Sequence, residues 1–123
     1  MIAVLVVVGG GLGAATRFLL DGWVRERRPG PFPLGTFLVN VSGSLLIGVL
    51  SGAVAFHALP TDVYAVAAVG FCGGYTTFST AMVETVRLVQ AGDVGRAVGT
   101  AVGSLLVTLG AAALGVGLMA AIA

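Results

Sequence analysis

Four long apolar stretches constrain the fold of this 123-residue chain more than any other feature. They cover approximately residues 2–23, 33–58, 62–88 and 94–123, and short polar segments separate them. Each stretch reaches the roughly 20 residues that an α-helix needs to cross a bilayer. The pattern therefore predicts an all-α membrane protein with one domain of four transmembrane helices. Because the number of spans is even, we expect both termini on the same side of the membrane.

The composition excludes most soluble functions. Hydrophobic residues make up 58% of the chain and charged residues only 9%, whereas about a quarter of a soluble domain is charged. A net charge of +1 argues against a nucleic-acid partner. The single histidine, His57, and the single cysteine, Cys72, have no carboxylate cluster near them in the sequence. Metal sites and nucleophilic catalysis need such clusters, so we do not expect an enzyme.

The third stretch contains a segment that disfavours a continuous helix. The run Gly70-Phe71-Cys72-Gly73-Gly74-Tyr75-Thr76-Thr77-Phe78-Ser79-Thr80 places paired glycines and several hydroxyls in mid-span. Glycine and threonine are modest helix formers. Irregular backbone at this depth is tolerated only where protein or a cavity covers it, and channels and transporters use such breaks to direct carbonyls at ions. We predict that this helix is broken between Gly73 and Thr77.

The arginines lie mainly on one side of the predicted bundle. Five of the six basic residues belong to or flank the first and third loops: Arg25, Arg27, Arg28, Arg87 and Arg96. The second loop and the termini carry no lysine or arginine. The positive-inside rule then predicts that loops 1 and 3 are cytoplasmic and the termini outside. We expect a multi-pass protein of the plasma membrane, which is the cell inner membrane in bacteria with two membranes.

Polar residues recur at a spacing of four and therefore share helix faces. Thr100, Ser104 and Thr108 form a hydroxyl stripe in the fourth span, and Asn40 and Ser44 share a face of the second. Each stripe is also compatible with ordinary helix packing, in which small and hydroxylated residues are common. Helix packing alone explains Asn40 less well than it explains the hydroxyls, because a carboxamide in an apolar span must find hydrogen-bond partners.

Two charged residues in or near the membrane are functional candidates by default. Arg17 lies in the first span and Glu84 near the end of the third. For each, a structural alternative stays open. Arg17 could extend towards the interface beside Asp21, and Glu84 could pair with Arg87.

The polar groups of the interior are mostly neutral donors, which suits a small anion. A fixed positive charge would hold such an ion tightly, and conduction needs binding that is weak enough for release. Aromatic ring edges carry a partial positive charge, so Phe78, beside the predicted break, can also face an anion. These residues indicate an anion path without identifying the ion.

Three segments carry a resemblance to a known family. They are Gly10-Gly11-Leu12-Gly13-Ala14-Ala15-Thr16-Arg17, Gly35-Thr36-Phe37-Leu38-Val39-Asn40-Val41-Ser42-Gly43, and the run from Gly70 to Thr80 with Glu84 after it. With these segments, nearly the whole chain resembles the Fluc-type fluoride channels, the CrcB-like fluoride exporters of bacteria and other microbes. The third segment is the most specific of the three in a four-span protein of this length.

The resemblance implies a fluoride-selective channel subunit that lowers cytoplasmic fluoride by passive export. The functional unit would be an antiparallel dimer with two fluoride pores between the subunits and a structural sodium ion at its centre. The backbone carbonyls of Gly73 and Thr76 would hold the sodium ion. The pore would be lined by Asn40, Phe78, Ser79, Thr80, Ser104 and Thr108, with Arg17 near the vestibule.

One position departs from the family pattern. The family commonly has a second pore phenylalanine three residues after the first, and here that residue is Ala81. In addition, the strong arginine bias should fix a single orientation, whereas a self-pairing antiparallel dimer needs both. We therefore hypothesise a partner subunit of opposite orientation, which could be a paralogous chain.

Two other functions are compatible with a small four-span protein. The first is a small multidrug-efflux-type transporter, but proton coupling there needs a carboxylate deep in the first span. This span offers only Arg17 and, near its end, Asp21. The second is a non-conducting structural subunit of a heterodimeric channel, which Ala81 keeps open for one of the two pores.

Overall fold

The computed structural model describes the whole chain, residues 1–123, as helices joined by short loops. Helix α1 covers Ile2–Arg27 and α2 covers Leu34–His57. The third span, Thr61–Gln90, is divided into α3 (residues 61–75) and α4 (Phe78–Gln90), and α5 covers Val94–Ala121. The chain thus has four spans that are long and apolar enough to cross a membrane. This confirms the predicted all-α membrane fold.

The first helix is longer than its apolar stretch. The apolar stretch ends near Trp23, whereas the helix continues to Arg27, and Arg28 forms its C-cap. Arginine and glutamate are good helix formers, so the charged run continues the helix until Pro29 excludes further turns. Arg25 and Arg27 therefore lie in the last turn, where cations interact favourably with the helix dipole.

The third span is broken within the predicted range, at the two threonines of that range. Gly73–Tyr75 is helical, and Thr76 and Thr77 are extended, with ψ angles of 158° and 123°. Threonine suits this backbone because its branched side chain favours extended conformations. The preceding segment, Ala65–Cys72, is a π-helix, which was not predicted. Such segments are rare and occur frequently at functional sites.

Glycines allow α1 and α3 to pack with their backbones in contact. A Cβ atom added at Gly13 would overlap the carbonyl oxygen of Phe71, and one added at Gly74 would overlap that of Gly10. Small residues at such positions are typical of helix contacts in membranes. The close approach fixes the helical part of the third span against α1, directly before the break.

Substitution of Gly115 tests the equivalent contact between α2 and α5. A Cβ at Gly115 would lie 2.5 Å from the Leu45 carbonyl oxygen and 2.6 Å from the Val49 nitrogen, whereas one at Gly117 would have no neighbour within 4 Å. Gly115→Ala is therefore expected to lower the free energy of unfolding by about 1–3 kcal/mol. Gly117→Ala is the matched control and should be neutral or slightly stabilising. Unfolding in mixed micelles measures both, and equal effects would contradict this packing.

Much of the bundle surface is apolar and uncovered within the chain. Only 11% of the apolar window of α1 and 6% of that of α5 is buried. Large side chains such as Val7, Leu19 and Leu106 are exposed along these helices. In a membrane, lipid or a second subunit covers such surfaces.

Candidate ion pathway

Four of the predicted pore residues line one cavity beside the helix break. This cavity, the break cavity, has a volume of about 290 Å³ and is formed by α2, α4, α5 and the break itself. Its predicted pore residues are Asn40, Phe78, Ser104 and Thr108, and its other residues are Ser44, Ile47, Thr76, Thr77, Ala81, Met82 and Leu105. No charged side chain lines it. The fold thus gathers neutral polar groups from three segments around one space.

Asn40 holds the broken backbone in place. Its Nδ2 donates to the Thr77 carbonyl at 2.8 Å, and its Oδ1 accepts from the Thr77 N–H at 2.8 Å. Without Asn40, both main-chain groups of Thr77 would lack these partners inside the membrane, at a cost of about 1–3 kcal/mol each. A carboxamide has two N–H groups, so one remains free. Asn40 therefore combines a structural role with a donor available at the break cavity.

Thr77 lies at the centre of this arrangement, although the polar stripes did not indicate it. Its Oγ1 accepts from the Thr80 N–H at 3.2 Å and donates to the Thr80 Oγ1 at 3.1 Å. Thr77 is thus the N-cap of α4. Threonine directly before a helix is a recognised N-cap residue, so the sequence did contain a signal for this role.

The hydroxyls of the pathway differ in whether their protons are free. The Thr108 hydroxyl donates to the Ser104 carbonyl at 2.7 Å and lies 3.0 Å from the Leu105 carbonyl oxygen. Carbonyl oxygens only accept hydrogen bonds, so the Thr108 proton is used within the helix. The Ser104 Oγ has no partner within the chain, and the Thr80 Oγ1 accepts without donating. The hydroxyls of Ser104 and Thr80 can therefore donate a hydrogen bond to an anion. The Thr108 hydroxyl presents only a lone pair, which can accept a hydrogen bond but cannot donate one.

The break also frees two backbone carbonyls. In a continuous helix, the Gly73 carbonyl would accept from the Thr77 N–H and the Thr76 carbonyl from the Thr80 N–H. Instead, the Thr77 N–H bonds to Asn40 and the Thr80 N–H bonds to the Thr77 side chain. Gly73 is exposed, and nothing lies within 4 Å of the place where its Cβ would be. Both carbonyls that were predicted to bind sodium thus lack their regular helical partners.

Arg17 and Thr80 line a separate cavity on the other side of the break. It has a volume of about 200 Å³ and also includes Asp21, Thr36 and Thr77. The Nε of Arg17 is buried without a hydrogen-bond partner in the chain. Thr77 belongs to this cavity and to the break cavity, so the residue held by Asn40 separates the two spaces.

Two predicted pore residues face away from the chain. Phe78 is 78% exposed, although it also borders the break cavity. Ser79 is also exposed, and its Oγ lies 3.4 Å from the Thr77 Oγ1. Neither residue is enclosed by its own chain, so any complete enclosure of these side chains needs lipid or another subunit.

Glu84 is held between α1 and α2 rather than by Arg87. Its Oε1 accepts from the Thr36 hydroxyl at 3.1 Å and lies 3.9 Å from Arg25, while its Oε2 is buried without a partner. The residue also lines a small space of about 30 Å³ that shares Asn40 and Ser104 with the break cavity. The alternative pairing with Arg87 is not formed, and Thr36 and Arg25 contact only the Oε1 of the carboxylate.

The chain matches one protein family over most of its length. Residues 4–116 match the family described as CrcB-like protein, Camphor Resistance (CrcB). The chain belongs to the CrcB family.

Curated relatives of this CrcB-family chain have consistent names. It is 46% identical over 115 residues to the fluoride-specific ion channel FluC 1 of Leifsonia xyli, covering 94% of this chain and 84% of the relative. A protein of the same name in Nocardia farcinica is 48% identical, with 87% and 72% covered. Another in Frankia casuarinae is 41% identical, with 96% and 95% covered. These similarities confirm the resemblance drawn from the three segments.

Proposed function

We propose that this chain is a subunit of a fluoride-selective ion channel that lets fluoride leave the cytoplasm passively. The observation that carries the proposal is the break cavity, which collects neutral hydrogen-bond donors and no charged side chain. The names of the curated relatives support the same function and give no support to an enzyme or a drug transporter.

The chemistry of the cavity suits fluoride. This ion is small and strongly hydrated, so it leaves water only where several close donors replace the lost hydrogen bonds. The free N–H of Asn40 and the hydroxyl of Ser104 meet this need in the break cavity, and the Thr80 hydroxyl does so beyond it. None of these groups carries a fixed charge, so a bound ion can also be released. The unpartnered Nε of Arg17 supports its proposed role at the vestibule, where it would attract anions.

The proposed functional unit is an antiparallel dimer with a second four-span subunit. Phe78 and Ser79 project from the chain in mid-span, and a subunit in the opposite orientation would enclose them. Ala81 contributes only a methyl group to the break cavity, so we propose that the partner is a paralogous chain with the reversed arginine bias. Under this proposal, only the pore that is lined by Phe78 and Ala81 of this chain lacks the second phenylalanine.

A sodium ion at the dimer centre is part of the proposal. The carbonyls of Gly73 and Thr76 fit such an ion, because carbonyl oxygens are hard ligands and both lack their regular helical partners. A structural ion there would neutralise the dipoles that the break exposes. No ion-conducting step depends on it.

Orientation mapping tests the proposed cytoplasmic position of loops 1 and 3. With cysteines introduced at Gly30 and Ala91, both exposed, in a background with Cys72→Ser, we expect both positions to react only from the cytoplasmic side. The arginine bias is the physical reason. Labelling of each position from both sides would show dual orientation and would remove the need for a partner chain.

Fluoride resistance in cells tests the function itself. A bacterial strain without its own fluoride exporter should grow on fluoride medium when it makes this chain with a partner subunit of opposite orientation. The same pair with Asn40→Leu in this chain should restore growth less well. Failure of the unmodified pair to restore growth, with both chains detected in the membrane, would contradict a fluoride channel.

A further inference from the structure

A further cavity lies at the loop-1 end of the bundle, where it shares Asp21 with the Arg17 cavity and Glu84 with the small space beside the break cavity. This loop-1 cavity has a volume of about 300 Å³ and is formed by the end of α1, the first loop, the start of α2 and the last turns of α4. Its charged residues are Arg25, Arg28, Arg87, Asp21 and Glu84. Three guanidinium groups against two carboxylates leave this cavity with a formal charge of +1.

The charges of the loop-1 cavity are unevenly paired. Arg25 lies 3.0 Å from Asp21 and 3.9 Å from Glu84, so it serves both carboxylates. Arg28 and Arg87 are exposed, and neither forms an ion pair within the chain. Two guanidinium groups from different elements, the first loop and α4, therefore remain available at one cavity.

The surroundings of the cavity are those of a membrane–water boundary. Trp23, one turn before the end of α1, is 53% exposed, and Phe32, which lines the cavity, is 42% exposed. The guanidinium of Arg27 stacks over Trp23 at 4.7 Å from the ring centre. Tryptophan and other aromatic residues concentrate at the level of lipid headgroups, and basic pockets between transmembrane helices bind anionic headgroups.

We propose that the loop-1 cavity binds the phosphate of an anionic phospholipid headgroup. Arg28 and Arg87 contact the phosphate, because the planar guanidinium fork matches phosphate oxygens. Phe32 and Trp23 lie beside the upper part of the acyl chains. Arg25 lies beside both carboxylates of the cavity and offsets part of their repulsion of the phosphate. The loop-1 cavity shares no residue with the break cavity, and lipid binding is measured without fluoride efflux, so either proposal can fail while the other holds.

The single tryptophan provides a direct test. Trp23 is the only tryptophan in the chain, so energy transfer from it to dansyl-labelled phosphatidylglycerol reports lipid bound near the loop-1 cavity. In detergent micelles we expect saturable transfer that unlabelled phosphatidylglycerol displaces more effectively than phosphatidylcholine. In the double variant Arg28→Gln/Arg87→Gln, the apparent affinity should fall about tenfold or more, since each arginine contributes at this boundary. Arg28→Lys/Arg87→Lys should retain part of the affinity, because lysine binds phosphate as a point charge.

Arg96→Gln is the matched control. It removes one positive charge on the same side of the bundle, as Arg28→Gln or Arg87→Gln alone does, but Arg96 is paired with Asp93 at 3.0 Å and does not line the loop-1 cavity. Its affinity for phosphatidylglycerol should be unchanged. Equal losses in both glutamine variants, with helical content intact by circular dichroism, would show a general charge effect and overturn the proposal. Displacement by inorganic phosphate at the same low concentrations as the lipid would identify a site for soluble phosphate instead, and would overturn it as well.

Discussion

Asn40→Leu is expected to reduce fluoride efflux at least tenfold and to destabilise the folded chain. Leucine has nearly the shape of asparagine, but it leaves the N–H and the carbonyl of Thr77 without the partners that lie 2.8 Å away. Two unpaired backbone groups in mid-span correspond to a loss of about 2–5 kcal/mol in the free energy of unfolding. Reversible unfolding in mixed micelles measures stability, and a fluoride electrode measures efflux from liposomes.

Ser44→Ala is the control for stability. Ser44 lies one turn after Asn40 and lines the same cavity, but its side chain has no hydrogen-bond partner in the chain, so the substitution should change the free energy of unfolding little. If Asn40→Leu were as stable as Ser44→Ala, the contact between Asn40 and Thr77 would not hold the break. Loss of efflux with unchanged stability would mean that Asn40 acts only through its free N–H.

Ser104→Ala and Thr108→Val are expected to affect efflux unequally, although both residues belong to the same polar stripe. The Ser104 hydroxyl is free to donate, whereas the Thr108 hydroxyl donates to the Ser104 carbonyl at 2.7 Å. A hydrogen bond to a charged group is worth about 1.5–3 kcal/mol, which corresponds to roughly a tenfold to hundredfold change in rate. We expect a loss of this size in Ser104→Ala, provided that the ion contacts Ser104 at the barrier, and a several-fold smaller loss in Thr108→Val.

Two comparisons control this experiment. Valine keeps the shape of threonine, so the Thr108 variant removes the hydroxyl without opening space in the cavity. Ser104→Thr should preserve much of the efflux, because it keeps a hydroxyl at the same position. Equal losses in Ser104→Ala and Thr108→Val would show that the Thr108 proton turns away from the helix when the ion passes. That result would contradict the claim that Ser104 donates to the ion and Thr108 does not.

The position of the helix break was predictable, but its physical cause was only partly so. Paired glycines and a row of hydroxyls indicated the region correctly. Propensity placed the break between Gly73 and Thr77, and within that range Gly73 and Gly74 remain helical, with Gly74 packed against Gly10 of α1, while Thr76 and Thr77 become extended. The deciding contact joins Asn40 to a residue 37 positions later, and no local pattern contains such a contact.

The candidate pathway shows the same limit. Spacing placed Asn40, Ser104 and Thr108 on helix faces, and the fold brings them to one cavity. Spacing could not show which hydroxyl protons are used within the chain, because that depends on side-chain rotamers. Phe78 was singled out by its place beside the break, but its exposure depends on how α4 restarts after two extended residues. Helix α1 extends past its apolar stretch to Arg27, because arginine and glutamate favour helices as well.

The most direct test is ion efflux from liposomes that contain this chain, first alone and then with a partner subunit of opposite orientation. A fluoride electrode and a chloride electrode follow the two ions under the same gradient. We expect rapid fluoride efflux with chloride retained, and we expect it only when the partner is present. Fluoride efflux from the chain alone would contradict the need for a partner but not the channel. No fluoride efflux in either case, with folded protein in the membrane, or chloride efflux at a similar rate, would contradict a fluoride-selective channel.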